Sequence, residues 1–247
     1  MLTVGVDLAA ESARTALASV EWDTKRAAIT ELIHGVGDDV ILAALAPAGK
    51  AGIDCPLGWP EAFVDFIADH RVGHVTIPAG LTGQQWRRRL AWRLTDEAVR
   101  AETGLIPLSV AADRIGHAAM RCAGLLEELA RRGQPVDRCG NGVVVEVYPA
   151  ASLKQWGLHH RGYKQSRNAQ ALQALIDDLL AAAPWLDLGP YENLCRSSHD
   201  AADAVIAALT ARAAQQGLTT RPDGRQEPAA RSEGWIALPT SPLRQLP

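Results

Sequence analysis

LTVGVDLAAESARTALASVEWDTKRAAITELI, residues 2–33, carries three candidate strands in one short span. Leu2 to Leu8 is apolar and β-rich, interrupted by a single charge at Asp7 and followed by small residues. From Arg14 to Trp22 the pattern alternates. Ala16, Ala18, Val20 and Trp22 share one face and Thr15, Ser19 and Glu21 the other, which predicts a half-buried strand. Asp23-Thr24 turns the chain, and Lys25 to Ile33 predicts a third strand of weaker pattern. Strands this close in sequence pair with their neighbours, so an antiparallel meander is expected.

Outward from that meander the pattern changes. Gly35 to Gly37 breaks the third strand, and Asp38 to Leu45 predicts a helix whose first turn holds Asp38 and Asp39, where the helix dipole favours negative charge. Ala51 to Asp54 predicts a brief buried strand stopped by Pro56, and Glu61 to Asp69 a helix. Residues 71–113 are less regular and predict a lid or insertion. Gly116 to Arg132 has Ala118, Cys122, Leu125, Leu126 and Leu129 at helical spacing. Gly142 to Val147 is the clearest strand, Val-rich with one charge, Glu146. Arg167 to Ala182 and Ser197 to Gln216 predict two long helices, the second opened by a capping box of Ser197 and Asp200. Residues 219–231 are expected as a loop, with a short apolar segment at Gly234 to Leu238. Strands alternating with helices predict an α/β fold: one domain over residues 1–247, a mixed sheet of an antiparallel meander and parallel strands, flanked by helices.

Composition bounds the function. The chain has 247 residues, 47% hydrophobic and 21% charged, which excludes a largely disordered protein. Aromatics are 5%, seven of them Trp, so the core must be built from Ala, Leu and Val with a few large plugs. A net charge of −3 excludes a polycationic nucleic-acid coat, and any nucleic-acid contact must come from a local basic patch. Four scattered cysteines, Cys55, Cys122, Cys139 and Cys195, form no C-x-x-C pair and read as free, buried thiols of a reducing cytoplasm. No apolar run approaches the ~20 residues of a membrane helix, and Asp7 precedes any signal-like apolar region. A cytoplasmic protein without a membrane partner is expected.

Several acids stand where charge is locally unwelcome: Asp7 in an apolar strand, Asp54 closing another before Pro56, Glu146 inside Val-Val-Val-Glu-Val, and Asp200 and Asp203 on an Ala-rich helix. Residues at i and i+3 share a helix face, so the last two can converge. Buried carboxylates brought together need a counter-charge, and a divalent metal with oxygen ligands, Mg²⁺ or Mn²⁺, supplies it. No His/Cys cluster has zinc spacing. Two such ions suit phosphodiester cleavage, because they activate a water and stabilise the leaving oxygen. The competing reading is structural: a capping role for Asp200, a turn for Asp54, and ion pairs for the rest.

Weaker signals surround these acids. WRRRLAWR at 86–93 mixes Arg87, Arg88, Arg89 and Arg93 with Trp and reads either as a phosphate- and base-gripping patch or as a solvated helix face. Arg161, Lys164 and Arg167 form a second basic segment with the same two readings. If the substrate is a nucleic acid, both clusters should flank the acids. His199 either assists proton transfer or completes a helical turn. Pro47-Ala-Gly-Lys50 lacks the phosphate-loop frame, Gly35-Val-Gly37 lacks the third glycine of a dinucleotide fingerprint, and no G-x-S-x-G elbow is present.

VGVDLA at 4–9, GIDCPLG at 52–58, WRLTD at 92–96, EVYPAASL at 146–153, YK at 163–164 and HDAADAVIAALTA at 199–211 resemble the domain of unknown function 429 family over nearly the whole chain. Members of that family are described as predicted nucleases of ribonuclease H-like fold. The resemblance implies an acid on the first strand, a second closing the fourth and the last acids on a C-terminal helix, which Asp7, Asp54 and the Asp200/Asp203 pair match. Glu146 is an extra acid relative to that pattern. It further implies a metal-dependent nuclease acting on DNA or RNA, in which Asp7 bridges two Mg²⁺ or Mn²⁺ ions, Asp54, Asp200 and Asp203 are further ligands and Glu146 is a ligand or the positioner of a water; the basic residues read above, Arg87, Arg88, Arg89, Arg93 and Lys164, are then the expected substrate contacts. The alternatives are a nucleotide- or phosphometabolite-binding or kinase-like protein of the same superfamily, or a non-catalytic binding module.

Overall fold

In the computed structural model, which describes residues 1–164 and 169–247, the meander forms as expected and a parallel half is added beside it. Strands β1 (Leu2–Asp7), β2 (Ala16–Trp22) and β3 (Ala27–His34) are followed by helix α1 (Asp38–Leu45) and strand β4 (Lys50–Asp54). Helices α2 (Glu61–Arg71), α3 (Gly83–Ala91), α4 (Leu94–Thr103) and α5 (Ile115–Arg131) lead to strand β5 (Val144–Glu146). Then come α6 (Pro149–Gln155), α7 (Ala169–Ala182), the two-residue strand β6 (Leu186–Asp187), α8 (Glu192–Ser197), α9 (His199–Gln215) and α10 (Glu227–Glu233). The six strands lie in the order β5-β4-β1-β2-β3-β6. β1, β2 and β3 pair antiparallel, whereas β4 runs parallel to β1, β5 to β4 and β6 to β3. The protein is therefore an α/β protein with a mixed sheet flanked by helices.

Alternation along β1 and β4 sends their side chains to two different layers. Val4, Val6, Ala51 and Ile53 face α1 and α5, packing with Ile41, Leu45, Cys122 and Leu129. Gly5 and Gly52, opposite each other in the β1–β4 register, face α9 instead. A Cβ on Gly5 would overlap the backbone of Ala204 and Ala208, and one on Gly52 the carbonyl of Ala207. α9 is thus pressed backbone to backbone against the sheet. It is buried on all sides from Ala201 to Ala214, which its nearly continuous Ala, Val, Ile and Leu composition permits.

Some local expectations change in this context. β2 is buried at every residue except Glu21, because layers pack on both faces of the inner strands. The α9 cap is Ser198, whose Oγ accepts from the Ala201 amide at 3.2 Å, while Ser197 ends α8 and donates to Asn193 O at 2.8 Å. The expected Ser197–Asp200 capping box is replaced, since the chain leaves one helix and enters the next within a single residue. The expected loop 219–231 runs into α10. Of residues 71–113, α3 buries no residue and touches α2 through Phe66 against Trp86, ring centroids 5.7 Å apart. α4 buries Val99 against Ala151, Ile236 and Leu238. The four cysteines are free and buried. No helix among the described residues is long and apolar enough to cross a membrane.

Placing a methyl group where two backbones touch forces the layers apart. Gly5→Ala should destabilise the protein by about 3 kcal/mol or more, beyond the ordinary cost of overpacking. Urea unfolding of Gly5→Ala beside Gly124→Ala, where a Cβ meets nothing, checks this; equal midpoints would refute the close-packed helix–sheet contact.

Candidate metal centre

Asp7 and Asp54 are register partners, the last residues of two adjacent parallel strands. Each lies two residues beyond its glycine, so the same alternation that turns Gly5 and Gly52 toward α9 turns both carboxylates that way. Asp203 comes from α9, one turn in from its start, and is fully buried. One oxygen from each of Asp7, Asp54 and Asp203 lies within 4.8 Å of the other two. Among the described residues this is the one group of acids, histidines or cysteines close enough to share a cation.

Lys164 is the cation beside them, its Nζ 2.5 Å from Asp203 Oδ2. Tyr163 Oη donates to Asp203 Oδ1 at 2.8 Å. Burial would depress the Lys164 ammonium, but Asp203 and Asp54 outweigh it and hold it well above its ordinary value. One ammonium does not balance three carboxylates. Burial, then the charges of Asp203 and Asp54, push the Asp7 carboxyl well above the usual range. Asp54 is pushed up to about 7, by burial first, with Asp203 and Glu146 adding to it and Lys164 opposing. An all-oxygen donor set carrying uncompensated negative charge fits Mg²⁺ or Mn²⁺.

Asp200 takes a different course. Its Oδ2 is 3.1 Å from His34 Nε2 and its Oδ1 2.8 Å from His199 Nδ1. Burial works against its charge, yet these two imidazoles outweigh it and keep the carboxyl below the usual range. The structure therefore groups Asp7, Asp54 and Asp203 and leaves Asp200 outside that group, held by histidines. His34, at the end of β3, is 166 residues from Asp200 in sequence, and no local pattern marks the pairing.

Glu146 and Arg93 occupy each other. Arg93 Nη2 lies 2.6 Å from Glu146 Oε1 and Nη1 2.8 Å from Oε2, a bidentate pair with both side chains 2% exposed. Leu57 N donates to Glu146 Oε2, Arg93 also donates to both oxygens of Asp96, and Arg93 Nη1 reaches Glu233 O. This buried network ties β5, α4 and α10 to the turn after β4. Arg93 is thus not the surface phosphate contact expected from WRRRLAWR, because its charge is matched internally.

The other basic residues divide. Arg87, Arg88 and Arg89 sit on α3, and Arg88 pairs with Glu97 at 2.8 Å and lies 5.3 Å above Trp92. Arg87 lines a hollow with Phe63 and Phe66, and Arg88 and Arg89 another with Leu81 and Trp92. None of these three lines the cleft of about 390 Å³ that opens beside Asp54 and Lys164. Arg167 lies outside the described residues. Of the expected substrate contacts, Lys164 is the one that the structure places at the acids.

Two predictions follow from these charge arrangements. Arg93→Ala leaves Glu146 buried without its partner and should cost about 3–5 kcal/mol in urea unfolding; a loss below 1 kcal/mol (~ the level of an exposed pair) would contradict the network's structural role. In metal-free buffer, Asp54 holds a proton in the folded state up to about pH 7 but loses it near 3.8 when unfolded. Its contribution to stability therefore falls as pH rises through that window. Asp54→Asn should flatten this part of the stability–pH curve, and an unchanged slope would refute the assignment.

The acids, the Arg93–Asp96 segment and α9 all lie within residues 5–227, the span matched by the family described as "Protein of unknown function (DUF429)". Comparison with curated proteins and with solved structures gave no match. A match over this much of the chain leaves one conclusion: the chain belongs to the DUF429 family.

Proposed function

We propose that this protein is a metal-dependent nuclease of ribonuclease H-like fold, hydrolysing phosphodiester bonds in a nucleic acid. The observation that carries the reading is the convergence of Asp7, Asp54 and Asp203 from two strand ends and a helix to within 4.8 Å. The sheet supports it too, with a three-stranded meander continued by two parallel strands on the β1 side.

In this reading Asp7, Asp54 and Asp203 hold Mg²⁺ or Mn²⁺, which when bound polarises a phosphoryl oxygen and lowers the pKa of its water. The chain's own contribution is rigidity and charge. Asp7 and Asp54 are fixed by β-ladder register, and Asp203 by a helix with no free face. Lys164 supplies positive charge beside the acids for a phosphate oxygen. A second ion requires a further carboxylate, and Asp200, which like Asp203 already has a partner at each oxygen, is the one that α9 also offers. Glu146, locked to Arg93, serves the scaffold.

A second reading, binding of a nucleotide or phosphorylated metabolite, is favoured by one observation: the cleft beside Asp54 is walled mainly by apolar side chains rather than by Arg87, Arg88 and Arg89. Hydrolysis separates the two. Wild-type protein with Mn²⁺ should cleave a short oligonucleotide. Asp7→Asn should lose more activity than the roughly 10–100-fold that removal of an outer-shell partner costs, while its melting temperature in metal-free buffer is unchanged or higher because carboxylate repulsion is relieved. Absence of cleavage by the wild type, or full activity in Asp7→Asn, overturns the nuclease reading.

A further inference from the structure

The cleft beside the acids has the size and lining of a small-molecule site rather than of a duplex channel. Its volume of about 390 Å³ lies within the range of pockets that enclose one small ligand. Its walls include Pro56, Pro107, Leu108, Ile115, Tyr148 and Ile236, and its lining reaches Asp54 and Lys164. Leu108 belongs to the irregular segment between α4 and α5, where it is 47% exposed. Apolar side chains left open to solvent beside a reactive centre are suited to covering a flat apolar group.

The cationic inventory agrees. A duplex binder grips many phosphates along both strands, yet among the described residues the Lys and Arg side chains lining this cleft are Lys164 and Arg93, and Arg93 is already paired with Glu146. Affinity must then come from something other than a row of phosphates. Base stacking on apolar and aromatic walls is the alternative, and it is available only when the base has left its partner.

We infer that the Pro56–Leu108–Tyr148 cleft is a base pocket that takes one unpaired nucleobase and sets its phosphate beside Asp54 and Lys164, so the substrate is single-stranded or locally unpaired nucleic acid. The inference rests on the nuclease reading for what happens to that phosphate, but binding tests it separately.

The test uses the full chain and a short fluorescent oligothymidylate, with Ca²⁺ in place of Mn²⁺ so that binding is read without turnover. Leu108→Trp fills the cleft from a half-exposed position. It should weaken single-strand binding about tenfold or more, the scale of one lost base–side-chain stack, with unchanged Mn²⁺ binding by calorimetry. The same strand annealed to oligoadenylate should bind more weakly than the single strand to the wild type. As a measurement independent of any variant, thymidine monophosphate should displace the oligonucleotide, and deoxyribose phosphate, which lacks the base, should not. Equal competition by the two, tighter binding of the duplex, or unaltered binding by a folded Leu108→Trp overturns the pocket. Base-dependent binding together with no Mn²⁺-dependent cleavage of either form upholds the pocket and removes the nuclease reading alone.

Discussion

The contact between α9 and the two glycines of the sheet is the constraint on which the site depends. Glycine inside a strand is destabilising by roughly 0.5–1 kcal/mol relative to alanine, and here two of them stand side by side in adjacent strands. The return is a helix lying on the backbone of β1 and β4 with nothing in between. Asp203 rides on that helix, and the strands carry Asp7 and Asp54 two residues beyond their glycines. A distance set by backbone against backbone has little freedom to relax. The three carboxylates are therefore held by the most rigid part of the fold, which is how a preorganised charge site is made.

The buried charges of this protein fall into three states that differ in how completely they are matched. Glu146 and Asp96 surround Arg93 with short, paired hydrogen bonds, all three side chains being nearly hidden from solvent. Asp200 is held between two imidazoles, those of His34 and His199. Asp7, Asp54 and Asp203 share one ammonium, and burial first, then their mutual repulsion, raises the carboxyls of Asp7 and Asp54, while burial raises Glu146 as well. Burial alone does not separate these groups, since Glu146 and Asp203 are both hidden from solvent. The separation lies in whether the opposite charge is present. Of this under-matched cluster, Asp54 is the member that lines the cleft.

Both basic segments show the same dependence on surroundings. WRRRLAWR reads in sequence as one patch, yet α3 ends at Ala91 and its arginines stay outside, while Arg93 caps the next helix and turns inward to Glu146. A shift of a few residues across a helix boundary converts a surface cation into the anchor of the interior. Lys164, with less basic sequence around it, is carried to the acids by the turn that also brings Tyr163 to Asp203.

Local pattern made the meander, the Val-rich fifth strand and the Ala-rich helix legible, because alternation and helical spacing are properties of neighbouring residues. Asp7, Asp54 and Asp203 were legible as charges in apolar settings, and one more local signal was there: Gly-Val-Asp at 5–7 and Gly-Ile-Asp at 52–54 repeat a glycine for close approach followed by an acid on the same face. Which carboxylates meet was not legible. Arg93 lies 53 residues from Glu146 and His34 lies 166 residues from Asp200, and sequence separation carries no trace of a contact made by packing two layers together. Composition and periodicity decided the layers and which residues are out of place in them. Only the tertiary packing of α9 on β1 and β4, and the Arg93–Glu146 pair that joins the start of α4 to β5, decided which of those charges meet and which find an opposite charge, because matching depends on distance in space and on burial.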